Sequence, residues 1–105
     1  MEVDVMKDNR IGPFDLSRKL KKKREQIDRI DRRILTLLNQ RIRKGVALGK
    51  IKKEMGKKIY DPKREVEVLK KLRRRNRGPL IERDLEKIFK TIIKVCRQSQ
   101  KGRQS

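Results

Sequence analysis

The sequence predicts an all-α protein built from one long helix and two shorter ones, and three observations carry that prediction. Apolar residues recur every seven positions in Leu20, Ile27, Ile34, Leu48 and Met55, with Ile30, Leu37 and Ile51 in the companion positions. No proline interrupts residues 18–55, and the flanking faces of that stretch are charged. No segment alternates apolar and polar residues as a half-buried strand does.

The elements follow in order. Residues 1–18 lack a sustained period and contain Gly12-Pro13, so an irregular N-terminal arm is expected there. The seven-residue series then predicts one continuous amphipathic helix to about Met55, with Gly56 as its stop. Asp61-Pro62 reads as a helix start: the Asp caps free amides, and Pro at the first position gives up an N–H that had no partner. The second helix is expected over Pro62 to Arg75, with Val68, Leu69 and Leu72 inward. NRGPL (76–80) breaks it. A third helix is expected from about Ile81 to Gln100, with Leu85, Ile88, Phe89, Ile92 and Cys96 on one stripe, followed by the basic tail KGRQS (101–105).

A chain of 105 residues makes one domain at most, and its long helix poses a packing problem. At 1.5 Å per residue that helix is roughly 50 Å long. A compact domain of this size has a radius of gyration of about 13 Å. With 33% of residues hydrophobic and 46% charged, one copy has little apolar material to cover such a rod. The expected solution is an intertwined homodimer in which two long helices pack together, each covered by the partner's shorter helices.

Composition also bounds function. Lys and Arg number 34 against 14 acids, a net charge of +20, which predicts anionic partners: a small carboxylate or phosphate, nucleic acid, or a membrane surface. There is no histidine and a single cysteine, Cys96, which argues against a zinc site and excludes an intrachain disulfide. An unpaired thiol fits a reducing compartment. MEVDVMKDNR at the start has no apolar core of a secretory signal, and no apolar run reaches membrane-spanning length. The expected location is the cytoplasm.

Charges stand where the pattern calls for apolar residues. The member of the seven-residue series at position 41 is Arg41. A charge on a buried seam is costly unless it is paired or meets a ligand. Arg41 and Lys52 share a helix face about 16 Å apart, whereas Arg24 lies roughly 25 Å from Arg41 along the same rod. One small ligand cannot span Arg24 and Arg41 of one helix, but in an antiparallel dimer Arg24 of one chain can reach Arg41 and Lys52 of the other. On the third helix, Gln100 places an amide on the apolar stripe, where it can donate to an ether or carbonyl oxygen. Each residue also has a plainer explanation. Arg41 snorkels or pairs with an acid, Arg24 and Lys52 are solvated, and Asp61 is only a cap. Arg64 and Glu65 form an exposed pair worth little, and Cys96 and Gln100 sit on a fraying helix end.

Taken in order, KREQIDRIDRRILTLLNQR (23–41), LGKIK (48–52), YDPKRE (60–65), NRGPL (76–80) and IFKTIIKVCRQSQ (88–100) resemble the all-helical (AroQ-type) chorismate mutases over about three quarters of the chain. The resemblance implies an isomerase that converts chorismate to prephenate by an intramolecular Claisen-type rearrangement, without a cofactor. Carried over residue by residue, it implies that Arg24 of one chain and Arg41 of the other hold the substrate's two carboxylates. Lys52 would contact a carboxylate and the ether oxygen, and Gln100 would donate to that oxygen. Asp61 and Glu65 would bind the ring hydroxyl beside Arg64, and Cys96 falls where many relatives have serine near a carboxylate. This chain departs from the family pattern in Lys23, which stands for an apolar residue, and in Lys44-Gly45, which stands for a common Leu-Ala pair.

Two other function classes compete. A basic helical nucleic-acid-binding module would use the 34 cationic residues, but Phe14, Tyr60 and Phe89 are too few and scattered for base stacking. Incidental nucleic-acid binding is compatible with the mutase reading. A non-catalytic helical dimer that regulates a partner enzyme is the third class.

Overall fold

The structure, a computed structural model, describes residues 12–101. Three helices account for the fold: α1 (Pro13–Glu54), α2 (Pro62–Arg75) and α3 (Glu82–Gln100). There is no strand among the described residues. The expected all-α class and helix order are correct. The chain divides between Thr36 and Leu37 into two units, with the division inside α1 rather than in a linker.

The helix starts and stops follow local chemistry. α1 begins at Pro13, so residues 13–18, expected in the irregular arm, are helical. Gly12-Pro13 starts the helix instead of breaking it: the Gly12 carbonyl accepts the first helical bond from Leu16 N at 3.0 Å. Pro13 then occupies the position where a missing N–H costs nothing, and Asp15 in the first turn pairs with Arg18 at 3.2 Å. The remainder of the expected arm (1–11), and positions 102–105 of the tail, lie outside the described residues.

At the other end of α1, Gly56 adopts φ 70°. Its N–H donates to Lys53 O at 3.1 Å and the Lys57 N–H to Lys52 O at 2.8 Å. This is the paired closure that a glycine in the left-handed region allows after a helix. Asp61 caps α2 as expected, with Oδ1 accepting from Arg64 N at 3.1 Å. Asn76 organises the turn after α2, donating to Leu80 O at 2.7 Å and accepting from Gly78 N at 2.9 Å.

The second unit holds the core. Leu69 of α2 and Leu85, Ile93 and Cys96 of α3 are its buried apolar side chains, with Leu85 and Cys96 only 3% exposed. Ile93, rather than Ile88, joins Leu85 and Cys96 as a buried residue of the third helix; Ile88 is 48% exposed. The stripe drifts because 3.6 residues per turn bring positions 85, 89, 93 and 96 over one another, leaving position 88 at the edge. Two ion pairs join α2 to α3. Arg73–Glu86 at 3.0 Å links the last turn of α2 to the beginning of α3, and Arg97–Glu65 links their opposite ends.

The first unit comprises, among the described residues, Gly12 and the helical segment 13–36, and none of these residues is buried. Leu20, Ile27, Ile30 and Ile34 are about half exposed, as are Leu37, Leu48 and Ile51 further along α1 and Met55 just past its end. The whole seven-residue series is thus uncovered in a single chain. In proteins most helical stability comes from packing an amphipathic face, and a single chain leaves this face of α1 about half exposed.

Candidate functional site

The second unit contains a cleft of about 270 Å³ between α1, the 55–61 loop, α2 and α3. Arg41, Lys52, Asp61, Arg64, Glu65, Cys96 and Gln100 all line it. Seven of the eight residues singled out in the sequence therefore meet around one space. Arg24 does not: it lies on α1 in the first unit, exposed and outside the cleft lining. Five cations (Arg41, Lys44, Lys52, Arg64, Arg97) and two acids (Asp61, Glu65) face the cleft, so its field favours an anion.

Several of these side chains have an identifiable support. Lys52, in the last turn of α1, donates from Nζ to Ile59 O at 3.0 Å, which anchors the ammonium with the loop that Gly56 turns back. Asp61 uses Oδ1 for its cap. Arg64 does not pair with Glu65 as the plain reading supposed. Its Nη1 donates to Glu67 at 2.9 Å, because i and i+3 lie on one helix face whereas adjacent residues diverge. Glu65 instead meets Arg97, 32 positions away on α3. The Arg97 guanidinium also lies over the Tyr60 ring, 4.7 Å from its centroid.

Gln100 is not on a fraying end. Helix α3 remains regular through it, and it packs into a notch made by the two buried residues of α1, Gly45 and Gly49. A Cβ on Gly49 would come within 3.0 Å of Gln100 Cβ and 3.1 Å of its carbonyl oxygen; a Cβ on Gly45 would sit 3.5 Å from Gln100 Nε2 and 3.8 Å from Cys96 Cβ. The two glycines thus predict opposite outcomes. Gly49→Ala forces the α3 backbone away and costs about 1–3 kcal/mol. Gly45→Ala makes ordinary contacts and gains up to about 1 kcal/mol of helix propensity. Denaturant midpoints of the two variants, measured beside the parent chain, check this ordering.

Gln100 Oε1 is buried with no hydrogen-bond partner among the described residues. Such an acceptor costs about 1–3 kcal/mol unless a donor from outside the chain reaches it. Cys96 is a free, buried thiol in the cleft wall, where it packs rather than ion-pairs. Sequence reasoning missed Arg97. A cation beside a stripe reads as solvated, and only the long-range contact with Glu65 reveals it.

The profile described as chorismate mutase type II matches residues 23–101. This chain belongs to that family. Membership agrees with the resemblance carried by the ordered motifs. Among curated proteins, the bifunctional chorismate mutase/prephenate dehydratase of Neisseria gonorrhoeae is 37% identical over 73 residues, covering 70% of this chain and 20% of the relative. The protein of the same description from Aquifex aeolicus is 38% identical over 81 residues, covering 73% of this chain and 22% of the relative. The chain thus spans about a fifth of the length of these curated relatives.

Solved structures agree with the fold. Chorismate mutase (form II) from Thermus thermophilus is similar with a TM-score of 0.79 and 34% identity, covering 83% of this chain and 99% of that one. Form I from the same organism gives a TM-score of 0.73 and 38% identity, covering 74% and 98%. The chorismate mutase type II match begins at residue 23 and so includes Arg24 as well as the whole cleft lining. Among the described residues no helix is long and apolar enough to cross a membrane.

Proposed function

We propose that this chain isomerises chorismate to prephenate, the branch step toward phenylalanine and tyrosine, in a cleft completed by a second copy. The observation that carries the reading is the convergence of Arg41, Lys52 and Gln100 with Asp61 and Glu65 on one cation-rich cleft in a member of this family. The unpaired thiol of Cys96 favours the cytoplasm.

The chemistry asks for binding and orientation. In the rearrangement the bond from the ring carbon to the ether oxygen breaks as a carbon–carbon bond forms between the enolpyruvyl side chain and the ring. Electrons shift around a six-membered cycle, the ether oxygen becomes a ketone oxygen, and no proton or redox equivalent is exchanged. Two demands follow. The flexible dianion must be held with its reacting carbons close, an effect that can supply a large part of a barrier reduction, about 7 kcal/mol or more. Negative charge growing on the ether oxygen must also meet donors already in place, each worth about 3 kcal/mol.

In this reading Arg41 and Arg24 of a second copy bind the two carboxylates. Lys52, anchored on the Ile59 carbonyl, faces one carboxylate and the ether oxygen. Gln100 turns its amide N–H toward that same oxygen. Asp61 and Glu65 accept from the ring hydroxyl, with Arg64 beside them. Cys96 borders the carboxylate end.

Two facts support a second copy. The half-exposed seven-residue series on α1 offers an apolar face at dimer spacing, interrupted only at Arg41. The antiparallel partner that covers it would also bring Arg24 to a cleft whose own α1 already supplies Arg41, Lys44 and Lys52. The test is direct: purified protein is incubated with chorismate while its absorbance and the appearance of prephenate are followed, and its sedimentation is measured in the same buffer. Prephenate formation by a sedimenting dimer is expected. An inert protein rejects the activity, and a fully active monomer rejects the shared site.

A further inference from the structure

We infer that Arg97 is a positioning residue for this reaction, one that holds the Glu65 carboxylate in place to read the substrate's ring hydroxyl. The inference rests on the function proposed above and adds a residue to its site. Four observations lead to it. Arg97 Nη1 donates to Glu65 Oε2, joining the last turn of α3 to the first turn of α2. The same guanidinium lies over Tyr60, the residue before the α2 cap, so it touches the loop, α2 and α3 at once. Both partners are well covered, with side chains 25% and 27% exposed, against 56% and 57% for the neighbouring Arg64–Glu67 pair. Both also line the cleft and, on its other side, a second groove with Tyr60, Val66 and Lys94. The pair is therefore a partition between the substrate cleft and the neighbouring groove.

The chemistry of the contact gives the role. A carboxylate in a cleft built for a dianion repels its substrate unless a cation balances it. The ion pair uses Oε2 and leaves Oε1 able to accept from a hydroxyl. With its guanidinium committed to Glu65 and Tyr60, Arg97 acts through Glu65 rather than on the substrate. Arg97 precedes Gln100 by one helical turn, so the bridge also links the hydroxyl-reading wall to the segment that carries the amide.

Steady-state kinetics of Arg97→Gln, Glu65→Gln and the double variant test this, with chorismate and with an analogue lacking the ring hydroxyl. Arg97→Gln is expected to lower kcat/KM for chorismate about tenfold or more and to lower it much less for the analogue. In the Glu65→Gln background the same change should move kcat/KM by less than about twofold. Arg73→Gln, which removes the ion pair at the far end of α2 and α3, should leave kcat/KM unchanged. The inference is overturned if Arg97→Gln matches the parent, if it lowers the double variant as strongly as the single one, or if Arg73→Gln does equal harm. Should Arg97→Gln fail to fold, Tyr60→Leu keeps every charge and must impair chorismate more than the analogue; equal losses reject the role. Failure of the underlying function looks different: the parent chain itself then makes no prephenate.

Discussion

Replacing Gln100 by Met is expected to reduce prephenate formation about 10²- to 10³-fold, the loss typical of deleting one preorganised donor to a developing oxyanion. Met is chosen because its unbranched chain keeps the packing against Gly45 and Gly49, where Gln100 contributes Cβ and Cγ contacts. The change should not weaken the fold. It removes Oε1, a buried acceptor without a partner among the described residues, so the thermal midpoint should stay level or rise. Activity and stability therefore move in different directions. Parallel measurement of kcat and of thermal unfolding checks both. A Met variant that turns over at the parent rate would remove Gln100 from the site.

Arg24→Ala and Arg41→Ala are each expected to lower kcat/KM by about a hundredfold or more, since each strips a counter-charge from a bound carboxylate. Far-UV helicity should remain, because Arg24 is exposed and Arg41 borders an open cleft. The stronger result comes from combining them. In a dimer carrying one chain of each kind, one cleft pairs the intact Arg41 with the intact Arg24, and the other cleft has lost both. Co-folding equal amounts of the two inactive chains should restore about a quarter of parental turnover, as random pairing into symmetric dimers dictates. Differently tagged chains show that mixed dimers have formed. Mixed dimers that remain inert would mean that Arg24 does not enter the partner's cleft.

Much of this protein is legible without coordinates because its signals are local. The seven-residue series spells out α1, Asp61-Pro62 the start of α2, and Gly56 the turn that closes α1. Each depends on a few neighbouring residues and on rules of hydrogen bonding at helix ends. Spacing along one rod is enough to separate Arg24 from Arg41 and Lys52, and the cleft lining agrees with that separation. One local signal misleads. Gly12-Pro13 reads as a break, although the same chemistry that starts α2 at Pro62 starts α1 at Pro13.

The remaining decisions belong to contacts between residues far apart in the chain. Nothing near Glu65 indicates that it pairs with Arg97 rather than Arg64, because both arginines are within plausible reach until α3 is laid along α2. Nothing near Gly49 indicates that a methyl group there would strike the Gln100 backbone while one on Gly45 would not. The choice of Ile93 over Ile88 as a core residue depends likewise on how α3 turns against α2. Helix identity is set by interactions within a turn, which sequence spacing reports directly. Helix rotation and the partner of each charge are set by side-chain packing across helices, which only the assembled tertiary structure determines.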